Sequence, residues 1–89
     1  MFSSVHNFYE QLVFERILTI IKENNEPMTQ DFVEDIACIA LNHLPPRYIR
    51  HHVDLSFSIN DVERANMHEQ VVQAVEDAIE FAKRRQTSH

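Results

Sequence analysis

Glycine does not occur anywhere in the 89 residues, and its absence removes whole classes of function. Gly-rich phosphate loops, the dinucleotide fingerprint and positive-φ hairpin turns all depend on it. Cysteine is nearly as scarce. Cys38 stands alone, so neither an intrachain disulfide nor a Cys-based zinc site can form within one chain, and a reducing cytoplasm suits it best. Basic residues are outnumbered, eight Lys and Arg against fourteen Asp and Glu, for a formal charge of −6. That balance argues against a protein that coats a nucleic-acid polymer, whose affinity comes from clustered cations. No apolar run approaches the roughly 20 residues that cross a bilayer, and no signal peptide is read. A single cytoplasmic domain over residues 1–89, without membrane attachment, is expected. At this length folding buries only about two thirds of the surface the open chain exposes, so a partner subunit would add stability.

What the chain does contain is helical periodicity. Ser3 or Ser4 is placed to cap a first helix reaching about Asn24. It carries apolar residues on two faces: Val5, Phe8, Tyr9, Leu12, Val13 and Ile20 on one, Phe14, Ile17, Leu18 and Ile21 on roughly the other. Two stripes need two packing partners, and one of them can be a second subunit. After the polar break at Asn24–Pro27, Thr29 reads as the N-cap of a second helix to about His43, with Met28 and Val33 as a hydrophobic staple. Its buried stripe is Phe32, Val33, Ile36, Ile39, Ala40 and Leu44. Cys38 falls on the opposite side, exposed or at an interface. A last helix begins at Ser58 or Asn60, with Glu63 placed to complete a capping box on Asn60, and runs to about Arg85. Val71, Val72, Val75, Ala78, Ile79 and Ala82 form its stripe, Glu69, Gln73, Glu76, Asp77 and Glu80 its wet face, and Lys83–Arg85 suit the negative end of its dipole.

Between the second and last helices the period changes. Pro45 and Pro46 withhold backbone donors and stop the helix. Beyond them Ile49, His51, Val53, Leu55 and Phe57 alternate with Arg50, His52, Asp54 and Ser56, the pattern of a half-buried strand. No second strand is read elsewhere, so this segment is expected to pair with its own copy across a two-fold axis. The fold class is therefore a mainly helical small domain, three main helices plus one short strand.

The candidate binding residues lie in the same stretch. Arg47 and Arg50 offer planar forks of donors suited to phosphate, Tyr48 has a face on which a base can stack, and His51 and His52 add donors. The plainer alternative is that Arg47 bonds the carbonyls ending the second helix and Tyr48 is core. His51 and His52 point to opposite faces of a strand and cannot chelate one ion together. No metal site, cofactor or catalytic residue is assigned: no nucleophile, base and orienting group stand at a useful spacing. The protein is not expected to be an enzyme.

The run ALNHLPPRYI, Ala40–Ile49, resembles the late competence development protein ComFB family, in which a helix runs into a Leu-Pro-Pro-Arg-Tyr-like turn. The resemblance is specific over these ten residues and rests elsewhere on length and helix order. It implies a mainly helical homodimer with a regulatory, non-enzymatic role, some members being receptors for cyclic dinucleotides such as cyclic di-GMP. Zinc-binding members carry cysteines between the first two helices; Lys22–Gln30 has none, so that site does not carry over. The leading reading is a homodimeric cyclic-dinucleotide receptor, cyclic di-GMP favoured, using Arg47, Tyr48, Arg50, His51 and His52 and signalling to a protein partner. The alternative is a dimeric adaptor without a small-molecule ligand, whose acidic helical faces bind a protein partner.

Overall fold

The structure, a computed structural model, describes residues 4–25, 27–50 and 59–87. Among the described residues five elements follow in order: β1 (Val5–Asn7), α1 (Phe8–Asn24), α2 (Gln30–Asn42), β2 (Tyr48–Arg50) and α3 (Asp61–Thr87). The three helices pack on one another around a common core, and the two short strands form an antiparallel ladder at one end.

Local chemistry sets most boundaries. Thr29 caps α2 by accepting the Phe32 N–H at 3.1 Å, and Asn60 caps α3 by accepting the Glu63 N–H at 2.7 Å, as the sequence indicates. At the end of α1 the chain enters the left-handed region at Asn25 (φ 50°, ψ 36°). Asparagine tolerates this turn better than most residues, and in a glycine-free chain it takes the position glycine usually fills. His43 ends α2, its N–H donating to Ala40 O at 3.0 Å, immediately before the two prolines.

The start of α1 departs from the sequence reading. The N-cap is Asn7, whose Oδ1 accepts the Tyr9 N–H at 3.2 Å, and not Ser3 or Ser4. Val5–Asn7 is a strand that pairs with β2 in the register Val5↔Arg50, His6↔Ile49, Asn7↔Tyr48. A second strand therefore does exist within the chain. Tyr48–Arg50 thus has a ladder partner within the chain along one edge. The rest of the expected strand, with His51 and His52, lies outside the described residues.

The core also corrects the two-stripe picture of α1. Phe8, Tyr9, Val13, Ile17 and Ile20 are buried together, whereas Phe14 is 55 % and Leu18 39 % exposed. Ile17 stands only about 40° round the helix from Val13, at roughly 100° per residue, so it closes one broad buried face. From α2 the core takes Ile36 and Ala40, and from α3 Met67, Val71, Val75, Ala78 and Ala82; Leu44 and Ile59 seal the ends. Met67 and Ile59 extend this core beyond the stripes read from the sequence. Fully burying a side chain of the size of Ile or Val contributes about 1.5–3 kcal/mol. This shared core is what fixes the proline turn against α1 and α3.

Candidate functional site

The proline turn is clamped from the side of α1. Asn7 Oδ1, already capping the helix, also accepts the Arg47 N–H at 2.9 Å. The Phe8 N–H donates to Arg47 O at 2.7 Å. The backbone of Arg47 is thus held on both its polar groups by the start of α1, and the guanidinium is directed toward α3. There Nη2 lies 3.4 Å from Glu63 Oε1, with both side chains partly exposed.

Beneath this pair a cleft of about 340 Å³ is lined by Tyr9, Pro45, Pro46, Arg47, Glu63, Asn66, Met67 and Gln70. The Tyr9 ring is buried, and its hydroxyl donates to Gln70 Oε1 at 2.7 Å. Burial raises the Tyr9 pKa above 10.0; the Glu63 carboxylate adds to the rise and the Arg47 guanidinium opposes it. Desolvation penalises the phenolate, and a neighbouring anion penalises it again.

On the outer side of the turn, strand alternation separates the next three residues. Tyr48 is 65 % exposed and Arg50 is exposed, while Ile49 between them is partly buried and packs on the core. Residues two apart on a strand share a face, so Tyr48 and Arg50 present an aromatic ring and a guanidinium on one solvent-facing side. Tyr48 is not a core residue. Of the five residues singled out from the sequence, Arg47, Tyr48 and Arg50 are brought to one end of the molecule, with Arg47 turned to the cleft and the other two to the outer face. His51 and His52 lie outside the described residues.

The chain belongs to the ComFB family. The family described as late competence development protein ComFB matches residues 6–86, from β1 nearly to the end of α3, so the likeness extends well past the proline turn. No curated protein and no solved structure matches the chain. In this ComFB protein the motif Leu44–Tyr48 divides its labour: Leu44 is buried, Pro45 and Pro46 are exposed, Arg47 faces Glu63 and Tyr48 faces solvent.

A second, larger concavity adjoins the motif. About 780 Å³ in volume, it runs between the end of α2 and the outer face of α3, with Ile39, Leu44, Pro45, Ala74, Ala78 and Phe81 among its lining and Asp77 and Arg84 at its polar rim. Phe81 is 44 % exposed, and the Arg85 guanidinium lies 5.8 Å from its ring centroid. Pro45 and Gln70 line both cavities. Among the described residues no group of three or more His, Cys, Asp or Glu is placed to hold a metal ion, and no helix is long and apolar enough to cross a membrane.

Sequence reasoning did not reach Asn7, Tyr9, Glu63 or Gln70 as neighbours of the motif. Glu63 carries a visible signal as part of the Asn60 cap. Nothing in the spacing of Tyr9 and Gln70, 61 residues apart, announces that they meet.

Proposed function

We propose that this protein is a non-enzymatic, homodimeric regulatory receptor that binds a cyclic dinucleotide, cyclic di-GMP favoured, and signals to a protein partner. The observation that carries the reading is the pairing of Tyr48 and Arg50 on one exposed face of β2, directly beyond the family's proline turn. An exposed aromatic platform beside a guanidinium matches the two features such a ligand offers, a base to stack on and a phosphate to pair with. Two copies of the face in a symmetric dimer match a ligand with near two-fold symmetry.

Calorimetry of the purified protein against cyclic di-GMP and cyclic di-AMP is the test. Tyr48→Ala and Arg50→Ala should each lower affinity at least about fivefold, since stacking on a base and a charge-assisted hydrogen bond are each worth roughly 1–3 kcal/mol. Binding should also weaken as salt rises. Lys22→Ala, at the far end of α1, is the control. Absence of heat with either dinucleotide at hundreds of micromolar would refute the reading.

A second reading, an adaptor without a small-molecule ligand, is favoured by the groove along α3 with its half-exposed Phe81. A protein partner seated there, with no dinucleotide binding, is the result that would select it.

A further inference from the structure

The cleft behind the proline turn holds an unusual pairing of chemistries for so small a space. Glu63 supplies a carboxylate, which only accepts, and Arg47 a guanidinium, which only donates, 3.4 Å apart. Two side-chain amides, Asn66 and Gln70, line the same cleft. The ion pair is not what holds the turn. Its length and its exposure, 37 % and 40 % for the two side chains, put it among the solvent-screened pairs that add little to stability. The backbone of Arg47 is already fixed by Asn7 and Phe8.

Among the nucleobases, guanine carries the edge that matches. Its N1–H and N2–H₂ are adjacent donors that one carboxylate accepts together, and O6 beside them, with N7 beyond, accepts from a guanidinium. Adenine offers that carboxylate one amino donor with a ring-nitrogen lone pair next to it, so one oxygen faces a lone pair. Cytosine likewise has a single donor group flanked by an acceptor, and uracil a single N–H between two carbonyls. At about 340 Å³ the cleft lies at the lower end of the roughly 300–1,000 Å³ typical of ligand pockets, a size for one heterocycle and not for a whole dinucleotide.

We infer that Glu63 is the base-reading residue of the site: one guanine of the ligand enters the cleft, its N1–H and N2–H₂ donate to the Glu63 carboxylate, and its O6 accepts from Arg47. The inference rests on the cyclic-dinucleotide reading above and adds the residue that selects the base. Glu63 then has two roles that do not conflict, because its backbone N–H serves the Asn60 cap while its side chain faces the cleft.

The experiment is calorimetry on the full chain with cyclic di-GMP, cyclic di-AMP and cyclic di-IMP, which keeps N1–H and O6 but lacks the N2 amino group. Wild type should bind cyclic di-GMP at least about tenfold more tightly than cyclic di-AMP, and cyclic di-IMP should be about five- to tenfold weaker than cyclic di-GMP. Glu63→Gln should lose at least about tenfold in affinity for cyclic di-GMP and change that for cyclic di-AMP by less than about twofold. Equal wild-type affinity for cyclic di-GMP and cyclic di-IMP overturns the inference even if the variant fails to fold, and leaves the receptor reading standing. Glu63→Gln weakening both natural ligands alike, or tightening both because Glu63 merely occupies Arg47, overturns it as well. If wild type binds none of the three, the receptor reading falls and takes this inference with it.

Discussion

The side-chain oxygen of Asn7 accepts two backbone N–H groups, from Tyr9 at 3.2 Å and from Arg47 at 2.9 Å, so one atom both starts the first helix and anchors the proline turn 40 residues away. Helix N-caps ordinarily serve their own helix. Here the cap doubles as a tertiary link, and the motif's position depends on it.

Asn7→Ala should therefore cost more than a cap alone. Loss of an Asn cap is worth about 0.5–2 kcal/mol and of a further hydrogen bond about 1 kcal/mol, giving an expected total of about 1.5–3 kcal/mol in urea denaturation. Asn60→Ala, which removes a cap with no tertiary bond described, should cost about 1 kcal/mol. Equal losses for the two variants would show that the bond to Arg47 contributes nothing.

Tyr9 gives a pH signature. Its folded pKa is raised above 10.0, first by burial and then by Glu63, so the unfolded chain releases this proton at a lower pH than the folded one. Its contribution is intact below about pH 10 and declines as pH rises beyond that value. Tyr9→Phe removes the bond to Gln70, at a cost of about 0.5–1.5 kcal/mol near neutrality, and should flatten the alkaline decline. Thermal melts of both proteins between pH 8 and 11 check this; parallel curves would count against it.

The proposed homodimer has a surface ready for it in Phe14 and Leu18, the apolar side chains that α1 leaves exposed. Light scattering should give twice the chain mass, and Phe14→Glu should return the protein to a monomer at tens of micromolar without loss of helical signal. A wild-type monomer at that concentration would remove the symmetric site.

Much of this architecture is legible in the residues. Thr29 and Asn60 act as caps because their side-chain oxygens reach the donors that a helix start leaves open, and Pro45–Pro46 stop α2 for want of donors. β1 is not legible, since three residues are too few to show a period of two and Val5 also fits a helical spacing with Phe8 and Tyr9. Its pairing with β2 is decided by contacts across 40 residues of chain. In the same way Tyr48 and Arg50 can be picked out from the sequence, but the meeting of Arg47 with Glu63 requires α3 to be in place.

Arg84 illustrates the difference for site assignment. It sits in the last turns of α3, remote from the motif in sequence, yet it lines the groove that begins at Pro45. With the dinucleotide held at the β2 face and the cleft, Arg84→Ala should change affinity by less than about twofold. A loss of tenfold or more would move the phosphates into the groove.

Pro45 and Gln70 stand in the wall between the cleft and the groove, and a shared wall makes the two cavities thermodynamic neighbours. Any shift of that wall imposed by an occupant on one side changes the free energy of binding on the other, and the factor is the same in both directions. A dinucleotide that improves a partner's hold on the groove tenfold must itself be held tenfold more tightly once the partner is seated, a coupling of about 1.4 kcal/mol. Receiver and transmitter would then be two faces of a single proline turn, with no distance for the message to travel.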